Sequence, residues 1–419
     1  MPRLADKYIE DALEARGAVC ICGPKGCGKT ATAMQHCKSA VYLDDPAACR
    51  QSLQMSQIDP FRLLKGDTPR LIDEWEKAPF LWDAVRREVD DRGMFGQFML
   101  TESAAPGKDA PIFHSGTGRI CSTVMEPMTL YESGDSDGSV SLEGLFGGDD
   151  NVNGYSGLEL DRLAFLVCRG GWPGALDKPD KAALKEARHR CDDIVEAGIS
   201  ASDGVRRNPD RVRMFLRAYS RAAGTQAGKP DFAADMKFHD GVSMDLKTMD
   251  SYISALKSTY TVTETEAFRP VLRSGAVVRS ARTREFTDPS FAAAALKLKP
   301  EDLVNSLDRF GVLFRSMCLR DLRVYARCFR ANLYHYRDST GLEVDAVLET
   351  MKAGCEAWGA IETDLGIAHA DELAAKLRKF RDRLKYGERI AFLMIITGSG
   401  YAYRRPDGVL VVPIGCLKP

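Results

Sequence analysis

The chain has 419 residues, 44% of them hydrophobic and 28% charged, with a net charge of −1. That length predicts two to four domains, and the composition is that of a globular protein. Near-neutrality excludes a global field drawing the chain to nucleic acid or an anionic membrane, though not a local basic face. The N-terminus reads as an amphipathic acidic helix instead of a signal peptide. The longest strongly apolar run, Ile390–Thr397, is too short to span a bilayer, so no membrane partner is expected. The twelve cysteines include no C-x-x-C pair and no Cys/His cluster at zinc spacing. They read as reduced thiols, mostly small core residues, in a cytoplasm.

Ala18–Cys22 reads as a buried strand and Thr30–His36 as the start of a helix. Between them, Gly23-Pro24-Lys25-Gly26-Cys27-Gly28-Lys29-Thr30 fits the phosphate-loop pattern G-x-x-x-x-G-K-[ST]. Gly23, Gly26 and Gly28 let backbone N–H groups approach a phosphate chain, and the following helix points its positive end there. Lys29 is expected to reach the β- and γ-phosphates of ATP, and the Thr30 hydroxyl to take a Mg²⁺ position. Cys27 reads either as a thiol favoured as thiolate near a helix start or as a tolerated loop residue.

Further strands follow at 40–43 and 70–73. The second ends in Asp73-Glu74, which places carboxylates at the C-terminal edge of a parallel strand. Asp73 is expected to hold Mg²⁺ through water and Glu74 to polarise the attacking water. A helix from Pro79, stopped by Gly93, leads to a strand at 97–101. That strand ends in Thr101-Glu102-Ser103, where Thr101 and Ser103 are candidate γ-phosphate sensors. Arg119 reads either as a group meeting developing phosphate charge, in its own subunit or a neighbour's, or as a surface arginine before a strand.

Gly/Asp/Ser-rich loops occupy 134–139 and 147–154, and helices are expected from about 158 to 223, interrupted at Gly170–Gly174. Arg206, Arg207, Arg211, Arg213, Arg217 and Arg221 either contact phosphate or form a solvated face paired with acids. Tyr260–Thr263 and Ala276–Arg279 read as wing strands, with DNA contact left open. Phe310–Phe329 reads as a helix. Gly341–Leu348 and Ala360–Asp364 read as strands whose period-two pleat pairs Glu343 with Asp345, and Glu362 with Asp364, on common faces.

The runs GPKGCGKT, RLIDEWEKAP, LWDAVRREVD, GQFMLTES, HSGTGRI, EPMTLYESG, GGWPGAL, TDPSFAAAAL, LFRSMCLRDLRVYA, YHYRDSTGLEVDAVLE and AIETDLG span nearly the whole chain in order. In them the chain resembles the AAA+-like bacterial and archaeal ATPases that end in a domain of unknown function with a restriction-endonuclease-like core. The resemblance implies an α/β fold: a P-loop ATPase domain over 1–132, a linker and helical connector over 133–228, a winged-helix-like segment over 229–300 and the nuclease-like core over 301–419. In nucleases of that architecture an Asp and a Glu hold Mg²⁺, a lysine steadies the attacking water and a helix Glu completes the site.

Asp345 and Glu362 match the carboxylate positions, but Asp364 stands at the lysine position and Arg315 at the helix-glutamate position. The expectation is an Arg315–Asp364 salt bridge and a core that does not hydrolyse DNA, unless Lys376 reaches inward. Two departures touch the ATPase: Glu102 stands where the family has glycine, and Glu126 where it has arginine. The chain is thus expected to bind ATP and Mg²⁺ and to act as an ATP-hydrolysing switch, with ATP and ADP as partners. DNA, a protein partner and a second copy of the chain stay open. The rivals are an ATP-regulated DNA-processing factor or nuclease, and a nucleotide-gated interaction protein with little turnover.

Overall fold

The structure, a computed structural model, describes residues 2–419 except 46, 48, 108, 109, 150, 202, 274, 275 and 353. Its contacts group the chain into two compact units. One comprises Met1–Pro127, Ile194–Asn208 and Ser251–Thr261, and the other Met128–Asp193, Pro209–Asp250 and Val262–Pro419. The four consecutive segments expected from the sequence map unevenly onto these units, because the chain passes between them repeatedly. Among the described residues no helix is long and apolar enough to cross a membrane.

The first unit is built on five short apolar runs: β1 (Ala18–Cys22), β2 (Ser39–Tyr42), β3 (Arg70–Asp73), β4 (Phe98–Glu102) and β5 (Ile120–Val124). They pair in the order β2-β3-β4-β1-β5, every pair parallel. The fully buried patterns of β1 and β4 mark strands covered on both faces. Leu81, Val85 and Val89, one face of the helix Phe80–Arg92, join Cys20, Ile72, Phe98 and Leu100 in the core. Gly93, at φ 63°, ends that helix in the left-handed conformation. Parallel order brings every C-terminal strand end to one edge, so the candidate residues at 22–30, 73–74 and 101–103 converge there.

The second unit adds β6 (Val140–Ser141), β7 (Gly154–Ser156), β8 (Val262–Ala267), β9 (Thr283–Phe286), β10 (Asn332–Arg337), β11 (Glu343–Lys352), β12 (Cys355–Thr363), β13 (Ile390–Thr397), β14 (Gly400–Arg404), β15 (Leu410–Pro413) and β16 (Leu417–Lys418). Nine of these form a mixed sheet in the order β7-β14-β15-β13-β12-β11-β10-β8-β9, while β6 pairs with β16. The expected wing is corrected here. β8 pairs antiparallel with Thr283–Phe286 and joins the large sheet beside β10. Ala276–Arg279 forms only an isolated bridge at Val278, spending its backbone bonds on the 337–339 turn. A three-residue apolar run had no pleat to maintain, whereas 283–286 alternates.

Several runs quoted above meet in a buried polar junction of this unit. The fully buried Arg320 guanidinium donates to Asp288 at 2.9 Å and to Asp321 at 2.8 and 2.6 Å. Asp288 also accepts from Gly171 N–H and Ser290 N–H, and Asp321 from Leu130 N–H. The indole of Trp172 donates to Ser290. A Cβ on Gly171 would lie 2.0 Å from the Met128 carbonyl oxygen, which is why glycine stands there. The arginines at 207, 213, 217 and 221 pair with Asp203, Asp210, Asp240 and Asp235, the acid-paired reading of the basic stretch. Because removing one member of a buried ion pair leaves the others uncompensated, Arg320→Met is expected to destabilise this unit by about 3–5 kcal/mol. Urea denaturation followed by circular dichroism checks this; a loss under about 1 kcal/mol contradicts it.

Candidate nucleotide site

β1 ends at Cys22 and the helix Lys29–His36 begins at Lys29, so residues 23–28 form the turn between them. Gly26 and Gly28 have φ of 79° and 105°, which other residues adopt only with strain. A Cβ on Gly23 would lie 2.2 Å from the Met125 carbonyl oxygen. The helix leaves its first N–H groups pointing into the turn, an arrangement suited to an anion. Lys29 is buried and its Nζ donates to the carbonyls of Gly23 at 2.8 Å and Pro24 at 3.1 Å. From outside the motif, Arg3 donates to the Cys27 carbonyl at 2.8 Å and the Glu126 carbonyl at 3.1 Å, bracing the loop. Cys27 itself is fully buried, with Sγ 3.4 Å from the Met125 carbonyl oxygen.

The acid pair closes the other side. Asp73 Oδ1 accepts from Thr30 Oγ1 at 2.8 Å and from Thr101 Oγ1 at 2.6 Å. Thr101 in turn accepts from Glu74 N–H at 2.9 Å. Glu74 takes φ 56° and ψ 49°, a left-handed backbone costly for a non-glycine residue. Ser103 Oγ donates to Glu74 Oε1 at 2.9 Å, and Lys77 Nζ lies 3.2 Å from Oε2. Thr30, Asp73, Thr101, Glu74 and Ser103 therefore form one hydrogen-bonded chain. The hydroxyls of Thr101 and Ser103 each donate to one of the two acids. The Thr30 hydroxyl and the Asp73 carboxylate bring hard oxygen donors together at this edge, a donor set that fits Mg²⁺.

Burial raises the Asp73 carboxyl, against the hydrogen bonds from Thr101 and Thr30. Burial would raise Glu74 too, but the Ser103 hydroxyl and the Lys77 ammonium hold it below its ordinary value, so it stays charged. Glu76 is pushed up to about 7 by burial, against the Ser103 N–H it accepts, with Glu74 and Glu102 adding repulsion. Its Oε2 is buried without a hydrogen-bond partner among the described residues. A carboxyl raised on folding contributes stability that is full below pH 4.5 and lost as pH rises through about 7. Glu76→Gln, which keeps the acceptor for Ser103, should therefore gain thermal stability over the wild type as pH rises from about 5 to about 8. Thermal melts at both pH values check this; a difference independent of pH contradicts it.

Arg119, Glu102 and Glu126 lie as follows. Arg119 precedes β5, at the edge opposite the phosphate loop, and pairs with Asp90 at 2.7 Å, so it does not face its own chain's loop. Glu102 is buried and accepts from the Tyr260 hydroxyl, pointing away from the acid pair's hydrogen-bonded chain. Glu126 is buried as well. Sequence reasoning missed Arg3, Glu76 and Tyr260. Only Glu76, inside the quoted run RLIDEWEKAP, carried a local cue.

In the second unit, Asp345 and Glu362 lie on the paired strands β11 and β12. The Arg315–Asp364 bridge is not formed. Arg315 instead lies 3.4 Å from Asp345 and donates to the Gly224 carbonyl. Asp364 falls one residue past β12 and pairs with His369 at 2.9 Å. Lys376 reaches inward to Glu362 Oε2 at 2.8 Å. Asp345 Oδ2 accepts from Thr363 N–H and Oγ1. Burial and the neighbouring Asp345 push Glu362 up to about 8, against Lys376.

Residues 15–133 match the profile of an AAA domain. Residues 160–302 and 310–417 match two domains of unknown function, DUF8612 and DUF4143. Among solved structures, a variant of RuvB from Thermotoga maritima is similar over 70% of this chain and 94% of its own, at 17% identity and a TM-score of 0.25. No match is found among curated protein sequences. The phosphate loop and the acid pair both lie within residues 15–133, which match an AAA domain of P-loop ATPase type.

Proposed function

We propose that the chain binds Mg·ATP at the C-terminal edge of β1, β3 and β4, hydrolyses it, and uses the change as a switch. The observation that carries this reading is the hydrogen-bonded chain from Thr30 through Asp73, Thr101 and Glu74 to Ser103. It spans the loop, the acid pair and the strand between them. Loop N–H groups from Gly26 to Thr30 and the Lys29 ammonium would bind phosphate oxygens, and Thr30, with Asp73 acting through water, would hold Mg²⁺, which would neutralise phosphate charge. Glu74, kept ionised, accepts the proton of the attacking water. Ser103 and Lys77 fix its carboxylate. Arg119, remote from its own loop and paired with Asp90, either meets a neighbouring subunit's phosphate or is a surface arginine before β5.

The switch reading rests on chain continuity. The segment Ser251–Thr261 belongs to the ATPase unit, carries Tyr260 onto Glu102 at the end of β4, and runs directly into β8. We read residues 301–419 as a nuclease-like core that does not cut. Lys376 does reach inward, the one condition set for a working core, but its ammonium is spent on Glu362 while Arg315 sits on Asp345, so cations already occupy the carboxylates a divalent ion would need. A reducing cytoplasm, where thiols stay reduced, is part of this reading.

Lys29→Ala should abolish ATP binding in a calorimetric titration, and unchanged affinity would refute the site. Glu74→Gln should keep binding and slow phosphate release by about 10²-fold or more. If wild type and Glu74→Gln release phosphate equally slowly, the protein is instead a nucleotide-gated binder. No metal-dependent DNA cleavage is expected with Mg²⁺ or Mn²⁺, and cleavage that disappears in Asp345→Ala would overturn the reading of the core.

A further inference from the structure

β1 carries cysteines at positions 20 and 22, and the pleat turns both to one face of the strand. Both are buried in the core of the ATPase unit, with their Sγ atoms 3.7 Å apart. In the β1–β4 register Cys22 stands beside Glu102, whose carboxylate is also buried. Cys20 Sγ, Cys22 Sγ and a Glu102 oxygen lie within 4.8 Å of one another. The Tyr260 hydroxyl donates to that carboxylate and fixes its direction. Two thiols and an oriented carboxylate, converging inside an otherwise apolar core, are a donor set that packing alone does not require.

We propose that Cys20, Cys22 and Glu102 bind one thiophilic divalent cation of the zinc class, with Tyr260 positioning the carboxylate. Two thiolates about 2.3 Å from a tetrahedral zinc lie about 3.8 Å from each other, close to the spacing found here. A disulfide needs its sulfurs at about 2.0 Å. β1 is paired without a register break to β4 on one side and β5 on the other, so the strand cannot pucker to bring them there. The two-apart spacing lies outside the usual zinc motifs because the third ligand comes from another strand and the geometry comes from the pleat. Its cation sits directly beneath the phosphate loop: Cys22 precedes Gly23, whose N–H donates to the Glu102 carbonyl at 3.1 Å. Thiols bind such an ion as thiolates, so binding releases protons and tightens as pH rises.

The test is a Co²⁺ titration of the reduced, chelator-treated full chain, read by absorption. The expected result is one equivalent bound, with thiolate-to-cobalt charge transfer and the intense visible bands of tetrahedral cobalt, bleached by Zn²⁺. Cys20→Ala and Cys22→Ala should each remove the charge-transfer band, and Glu102→Gln should weaken binding at least about tenfold. Replacing the less buried Cys37, Cys49, Cys121 and Cys355 together by serine should leave the spectrum intact. Absence of the band in the wild type, its persistence in Cys22→Ala, or its loss in the four-serine variant would overturn the proposal. So would an intact mass showing a Cys20–Cys22 disulfide in protein that takes up no cobalt. Glu102→Gln removes no buried sulfur, so it remains informative if a cysteine variant fails to fold.

Discussion

One carboxylate oxygen ties the ATPase unit's functional edge together. Asp73 Oδ1 receives the hydroxyls of Thr30, from the helix after the phosphate loop, and Thr101, from the strand lying between the loop strand and the acid strand. Parallel pairing fixes where the strands end, but the hydroxyl contacts fix the side chains relative to one another. The Thr101 oxygen then holds the N–H of Glu74 in its left-handed conformation, and Ser103 holds the carboxylate. A strained backbone persists only where its surroundings over-determine it, and here both sides of Glu74 are held.

The two units use buried carboxylates in opposite ways. At the ATPase edge the acids are held mainly by neutral hydroxyls, which leave their charge available to a cation and to a water proton. In the second unit Asp345 and Glu362 are met by Arg315 and Lys376, so their charge is already neutralised. Arg320, Asp288 and Asp321 carry the same logic into the interior, where the ion pairs and the N–H groups they accept specify how separate segments meet. The glycine and tryptophan of Gly170–Trp172 and the aspartate of the 287–290 run serve this junction, not a reaction.

What could be read from the sequence was what is local. The loop's glycines, its lysine and the apolar strands around it depend on residues a few positions apart, and the acids at 73 and 74 follow from a strand ending. The Arg315–Asp364 pairing, inferred from charges exchanged at two positions of the resembled family, went wrong because position in a motif does not fix where a side chain turns once its strand has ended. Asp364 lies just beyond β12, where the chain turns toward His369. Arg3 and Tyr260 act on residues more than twenty and more than one hundred and fifty positions away, and no local pattern marks such contacts. The strand at 283–286 was passed over for a more apolar run, because hydrophobicity outweighed alternation in a short segment.

The central claim is that Mg·ATP sits on the loop at 23–30 against Asp73. Amide hydrogen exchange with and without Mg·ATP tests it most directly, because it reports which backbone groups the ligand covers. The account predicts slowed exchange concentrated in residues 26–32 and at 73–74. Protection confined to other segments, with these amides unchanged at saturating nucleotide, would contradict it.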